Sequence, residues 1–166
     1  MYAHIIDGKI NGCGQCRILG DNVQNIVITD EIASELDKYI FQDGEIILNP
    51  NYEQEQAQKE HERIMELSMT RSDFFDGTIK AFGADSDDLL VAVQAVIDKS
   101  DLSDIEKKVA VNNYKNALNF YRKHPLFSLL TAVPIGDKVI TITSEQWDRF
   151  FDETDKGNAE AYKALV

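Results

Sequence analysis

The chain has 166 residues, enough for one domain or two very small ones, and its 43% hydrophobic and 28% charged residues are ordinary for a globular protein. Its 29 acidic and 17 basic residues give a formal charge of −12, which opposes binding to nucleic acid or to anionic lipid. Two cysteines are too few for a disulfide scaffold, and no apolar run approaches the ~18 residues of a membrane helix. The N-terminus lacks a basic segment followed by a long apolar stretch, so we expect no secretory signal and synthesis in the cytoplasm.

The first 50 residues predict a small β-rich head. Alternating apolar residues over 2–6 predict a strand. Asp7-Gly8 and Asn11-Gly12 are turn signals, because glycine readily adopts the positive φ that a tight turn needs. Residues 24–29 are rich in β-branched side chains and predict a further strand.

The rest of the head combines a short helix with one more strand. Residues 30–38 predict the helix, with Thr29 or Asp30 as its N-cap. Residues 45–48 predict the strand, which ends before Pro50 because proline cannot donate a hydrogen bond to a strand ladder.

Residues 51–68 predict a long helix that is almost entirely polar. Its apolar positions are sparse, and His61 and Ser68 interrupt the heptad spacing that starts at Ala57. A helix this polar cannot be held by burial in its own core. It is therefore either a solvated spacer between two domains or one strand of an oligomeric bundle, and we favour the spacer.

A capping motif begins the helical body. Thr70 is a good N-cap, Asp73 can return its hydrogen bond, and Met69 can pack on Phe74 as a hydrophobic staple. Gly83 is placed to end this helix in the left-handed conformation. The predicted apolar face of the helix is Phe74, Phe75, Ile79 and Phe82.

Two more capped helices follow. Ser86 is predicted to cap one of them, and Ser103 with Glu106 forms a capping box for a longer helix that ends at Pro125. Residues 126–133 predict another apolar turn or short helix. The predicted inner faces are Leu89, Leu90, Val93, Val96 and Ile97 in the first helix, and Ile105, Val109, Ala110, Tyr114, Ala117, Leu118 and Tyr121 in the second.

The last segment, residues 134–166, predicts a strand–helix appendix. Residues 139–143 alternate as a strand, Ser144 is the predicted cap of the following helix, and Asn158 is expected to cap a final turn. That helix carries three aromatic residues on one face, which we interpret as core rather than as anchors for a partner: Trp147, Phe150 and Phe151.

Cys13 and Cys16 form the one motif whose residue types and spacing suggest redox or metal chemistry. A redox pair of this spacing sits where a strand enters a helix, but here it lies among turn glycines. Zinc would need two more ligands, and His4 is the histidine nearest in sequence. Structural thiols, metal ligands shared across an oligomer and a redox pair all remain open, and we favour structural thiols.

No catalytic, cofactor-binding or metal-ligating residue is assigned. Asp85, Asp87 and Asp88 lack the glycine and the distal glutamate of a calcium loop, so we interpret them as helix-capping residues. The chain has no Gly-x-Ser-x-Gly elbow and no glycine-rich phosphate loop, so we predict that it is not an enzyme. A polar and aromatic group on the longer helix is interpreted as its ordinary outer side: Tyr114, Asn116, Asn119, Tyr121 and Arg122.

Two segments resemble small proteins encoded among bacteriophage and prophage tail genes, near the baseplate and tail-fibre genes. One is the β-rich head that ends in Asn49-Pro50-Asn51-Tyr52 and leads into the Glu/Gln-rich helix. The other runs from Met69-Thr70-Arg71-Ser72-Asp73-Phe74-Phe75 to Phe82-Gly83. The resemblance covers about residues 1–130. It implies a virion-associated role without enzymatic activity and supplies no catalytic residues.

We therefore expect an α+β fold with a β-rich head (1–50), a polar connecting helix (51–68) and a helical body with a C-terminal β-α appendix (69–166). The expected function is that of a structural or accessory component of a phage tail or baseplate. Its expected partners are other tail or baseplate proteins and further copies of the chain in a homo-oligomer, with no nucleic acid and no membrane. The head and the polar helix are expected to mediate docking or self-association.

Two alternatives belong to other functional classes. One is an acidic phage-encoded inhibitor that presents carboxylates in place of DNA phosphates to a host nucleic-acid-binding protein. The other is a thiol or zinc protein built on Cys13 and Cys16.

Overall fold

The computed structural model describes residues 1–157, and the predicted α+β class is confirmed. Within that range there are seven α-helices and nine short strands, which form four antiparallel sheets. The chain forms two compact units, Met1–Lys59 and a second that begins at Glu60. None of the helices within residues 1–157 is both long and apolar enough to cross a bilayer.

The division between the units falls inside the polar helix, which spans Tyr52–Met65. The three-part division into 1–50, 51–68 and 69–166 stays a prediction. The predicted final turn at Asn158 lies outside the described residues.

The first unit contains a three-stranded sheet, a two-stranded sheet and one short helix. Thr29 caps the helix as predicted, because its hydroxyl accepts a hydrogen bond from the Ile32 N–H. Its small core consists of Ala3 and Ile5, which belong to the central strand of the three-stranded sheet, and of Ile28. The elements are β1 (Tyr2–Ile6), β2 (Lys9–Gly14), β3 (Val23–Val27), α1 (Asp30–Ser34), a 3₁₀ turn (Leu36–Lys38), β4 (Tyr39–Gln42), β5 (Glu45–Leu48) and the start of α2 (Tyr52–Met65).

Asn11-Gly12 forms a β-bulge rather than the predicted turn. β1 pairs His4 with Gly12 but Ile5 with Ile10, which leaves Asn11 as an extra residue in β2. The turn at Asp7-Gly8 already reverses the chain. Gly12, with a φ of 146°, instead forms part of the bulge that bends β2.

The second unit packs five helices with two two-stranded sheets around an aromatic core. Phe74 stacks on Phe120 with ring centroids 4.1 Å apart, and the Trp147 Nε1–H donates to the Leu130 carbonyl at 3.0 Å. Trp147, Phe150 and Phe151 are at most 1% exposed, so their interpretation as core is confirmed. The elements are β6 (Ser68–Thr70), α3 (Arg71–Phe82), α4 (Ser86–Asp98), α5 (Asp104–Asn116), β7 (Asn119–Tyr121), α6 (Leu126–Leu129), β8 (Ala132–Ile135), β9 (Lys138–Thr141) and α7 (Ser144–Asp155).

The caps of α4 and α7 lie one residue earlier than predicted. The Asp85 carboxylate accepts from the N–H groups of Asp87 and Asp88, whereas Ser86 is the first helical residue. Thr143, not Ser144, caps α7 through a box with Gln146. The prediction that Asp85, Asp87 and Asp88 cap a helix is confirmed, as are the caps at Thr70 and Ser103.

The longer helix ends at Asn116 and does not extend to Pro125 as predicted. The chain then forms β7, which pairs with β6 and so satisfies the backbone groups that a longer helix would have bonded internally. Pro125 instead begins α6. The expected inner face therefore fails in part, because Ile105, Val109 and Leu118 are more than half exposed. Ile79 on α3 is likewise exposed, since it lies five residues after Phe74 and so on another side of that helix.

Candidate functional site

The second unit contains an apolar groove of about 390 Å³ between α4, α5, β7 and α6. Its volume lies near the lower end of the roughly 300–1,000 Å³ found for ligand-binding clefts. Its floor consists of buried core residues: Val93, Ile97, Tyr114, Phe120 and Phe127. Its rim includes Ser100, Leu102, Asn113, Asn119, Tyr121, His124 and Leu129.

The groove is uncharged in a chain that is 28% charged. Among the described residues that line it there is no Asp, Glu, Lys or Arg. Depletion of charge is characteristic of the buried centre of protein interfaces, because each charge that loses water there needs a partner. The groove is therefore suited to an uncharged, largely apolar ligand.

Large apolar side chains on the rim are exposed. Leu102, Tyr121 and Leu129 are 41%, 47% and 59% exposed, respectively. On α5, Ile105 and Val109 are also exposed and lie two turns and one turn before Asn113, so they extend this apolar surface along the helix. Contiguous apolar surface of this kind usually marks a binding site.

Tyr114 contributes a buried hydroxyl that has no hydrogen-bond partner among the described residues. The residue is 8% exposed, and burial raises the pKa of Tyr114, so the phenol keeps its proton at neutral pH. A hydroxyl removed from water without a partner costs about 1–3 kcal/mol.

His124 supplies a hydrogen-bond donor at the rim. The Leu126 N–H donates to His124 Nδ1 at 3.2 Å, which requires an unprotonated Nδ1 and places the proton of the neutral ring on Nε2. Exposed Asn113 and Asn119 supply amide groups beside it. The rim thus offers hydrogen-bond donors without net charge.

Arg122 lies in the interior, contrary to its interpretation as part of an outer helix side. It is 2% exposed; its Nε donates to Asp148 Oδ1 at 2.6 Å, and its Nη2 donates to Ser144 Oγ at 2.7 Å. Its Nη1 has no partner among the described residues. Arg122 does not line the groove, and its hydrogen bonds to Asp148 and Ser144 join the end of β7 to α7.

The two cysteines lie in the first unit. Within residues 1–157, no three His, Cys, Asp or Glu side chains are grouped closely enough to hold a metal ion. Cys13 is half-buried in β2, with its Sγ 3.9 Å from the Ala33 carbonyl, and Cys16 is exposed. His4 Nε2 lies 3.0 Å from the Cys16 carbonyl oxygen, so its nearest contact there is backbone rather than sulfur. The interpretation of both cysteines as structural thiols stays a hypothesis.

Sequence reasoning missed the groove because its lining comes from four elements separated along the chain. A signal was nevertheless present: α5 carries more apolar residues than one buried face can hold, and Ile105 and Val109 are the surplus. Comparison with known proteins finds no match to the chain among family models, curated proteins or solved structures.

Proposed function

We propose that this protein is a non-enzymatic accessory component of a phage tail or baseplate, which binds a neighbouring tail protein through the apolar groove. The resemblance of the head and of Met69–Phe75 to tail-encoded proteins supports the setting. The groove supports the mode of action, since it offers apolar surface for binding and no charged group for chemistry.

The observation that carries the proposal is the uncharged groove with exposed Leu102, Tyr121 and Leu129 on its rim. Covering a large apolar side chain contributes roughly 1.5–3 kcal/mol, so a partner that covers several of them gains substantial affinity. Tyrosine is among the residues that usually dominate the binding energy of an interface, and Tyr121 supplies one at this groove.

The inhibitor hypothesis would need a continuous acidic face. Within the second unit, Asp98 and Asp104 share one surface depression with Lys107, Lys108 and Lys115, so acidic and basic groups are interspersed there. Such mixing favours the tail component over a DNA mimic.

The test is to delete the gene from the phage or prophage that carries it and to restore it in trans with a tagged chain. We expect purified tails to contain the chain at a fixed copy number by quantitative mass spectrometry. Leu129→Asp should abolish incorporation, and Ile79→Asp should not, because Ile79 is equally exposed but lies outside the groove.

Two outcomes would overturn the proposal. One is that tails lack the chain although the lysate contains it in folded form. The other is that the gene lies outside any phage or prophage.

A further inference from the structure

We infer that the groove binds an extended, uncharged peptide segment of the partner, which adds to the open edge of β7 as a third strand. The inference rests on the proposed function in one respect, that the chain acts by binding proteins. It adds the conformation and the chemistry of the bound segment.

The first observation is the open edge of β7. Within residues 1–157, β7 pairs with β6 alone. The residues that flank β7 direct their backbone groups toward the β6 side. The Arg71 N–H donates to the Leu118 carbonyl at 2.9 Å, and the Arg122 N–H donates to the Leu67 carbonyl at 3.0 Å. Because successive residues of a strand alternate in direction, the backbone groups of Asn119 and Tyr121 face the other edge.

That edge adjoins the groove. Asn119 and Tyr121 are both exposed, and both line it. The Tyr121 carbonyl already accepts from the His124 N–H at 3.0 Å, which leaves the N–H and C=O of Asn119 and the N–H of Tyr121 to pair with a peptide. An added strand would direct alternate side chains to one face, where the groove can receive them.

The second observation concerns the donors of the groove. The His124 Nε2–H and the side-chain amide of exposed Asn113 are donors at the rim. An extended peptide presents main-chain carbonyls that can accept such bonds, whereas the carbonyls of a helix are bonded within the helix. These donors therefore favour an extended segment over an amphipathic helix.

The absence of charge determines the residue types of the peptide. A carboxylate or an ammonium group in the groove would lose water without gaining an ionic partner, because none of the described lining residues is acidic, lysine or arginine. We therefore assign to the groove a segment with aliphatic or aromatic side chains at alternate positions and neutral residues between them.

The experiment uses the full chain and a defined probe, an N-acetylated and C-amidated heptapeptide in which leucine alternates with threonine. Binding is measured by isothermal titration calorimetry and located by amide chemical shifts. Two matched peptides carry N-methyl groups on alternate backbone amides: one phase methylates the even-numbered residues, and the other phase methylates the odd-numbered residues. We expect one phase to abolish binding and the other to preserve it, because only amides on the side facing β7 take part in the added strand.

Variants of the protein test the groove itself. We expect Leu129→Asp to weaken binding about tenfold or more, because it places a carboxylate in the uncharged groove. Ile79→Asp should bind as the wild type does. Circular dichroism melts of both variants identify any loss that is due to misfolding.

Several results would overturn the inference. Equal binding of both N-methylated peptides would show that no strand is added. Groove shifts caused by decanol but not by the peptide would indicate a small-molecule site. Self-association that is abolished by Leu129→Asp would indicate that a second copy occupies the groove.

The two proposals fail separately. Peptide binding by a chain that is absent from tails would remove the tail assignment alone. A chain that is present in tails but binds no extended peptide would remove the strand-addition inference alone.

Discussion

Arg122 Nε donates a 2.6 Å hydrogen bond to Asp148 Oδ1, and this ion pair joins the end of β7 to α7 inside the second unit. Arg122 is 2% exposed, and Asp148 keeps 23% of its side-chain surface. Such a pair need not make a net contribution to stability, but removing one partner leaves the other desolvated without compensation. The arrangement also holds β7 in place beside the groove.

We expect Arg122→Ala to lower the free energy of unfolding by about 3–5 kcal/mol. Urea denaturation followed by Trp147 fluorescence measures this change, because Trp147 is the one tryptophan of the chain and is fully buried. The control is Lys123→Ala, which removes the exposed ion pair to Glu66 and should cost at most about 1 kcal/mol. Equal losses in the two variants would contradict a special role for the buried pair.

The position of the α4 cap leads to a second prediction. Asp85→Ala should lower the free energy of unfolding by about 1 kcal/mol, because it removes the acceptor of the Asp87 and Asp88 N–H groups. Ser86→Ala should be neutral within about 0.5 kcal/mol, since Ser86 is the first residue inside the helix rather than its cap. Thermal or urea unfolding of both variants decides between the two positions; a larger loss at Ser86 would contradict the structure.

Asp152 should make stability depend on pH in the acidic range. Burial acts to raise the pKa of Asp152, but hydrogen bonds from Lys156 and Arg63 together outweigh it and hold the pKa below the ordinary 3.8. A carboxyl with a depressed folded pKa stabilises the fold above its unfolded pKa, and the contribution is lost as the pH falls through the folded pKa.

Asp152→Asn should therefore be less stable than the wild type at neutral pH, and the difference should shrink as the pH falls below 3.8. Urea denaturation across the acidic range measures it. Asp155→Asn is the control, because Asp155 is 52% exposed and lies 4.0 Å from Arg63. A stability difference that does not vary with pH would contradict the assignment.

Tyr114→Phe should stabilise the unliganded protein by about 1 kcal/mol, because it removes a buried hydroxyl that has no partner among the described residues. The control is Tyr121→Phe, which removes an exposed hydroxyl and should change stability little. Thermal melts of both variants provide the measurement. Destabilisation by Tyr114→Phe would mean that the hydroxyl is already satisfied in the free protein, for example by ordered water.

Local signals predicted the helix starts well. The caps at Thr29, Thr70 and Ser103 were predictable because a capping residue and its partner lie within three positions of each other. Where two adjacent residues can both cap, as Asp85 and Ser86 can, local chemistry does not distinguish them, and the choice depends on where the backbone first becomes helical.

The end of α5 was not predictable from local pattern. Residues 117–121 are compatible with a continued amphipathic helix, but the backbone of Asn119–Tyr121 pairs with Ser68–Thr70, about 50 positions earlier in the chain. That long-range pairing moves Tyr121 to the groove rim and Arg122 into the interior. The hydrophobic periodicity of residues 117–121 does not indicate that this segment pairs with β6.

The sequence by itself determined the α+β class, the acidic character, most helix starts and the aromatic core of α7, because these depend on composition and on contacts between near neighbours. The tertiary structure alone decided which apolar residues stay exposed, where the uncharged groove lies and which polar atoms are left unpaired in the interior. Burial and hydrogen-bond satisfaction depend on tertiary contacts between segments that are distant in sequence, and a local sequence pattern does not specify those contacts.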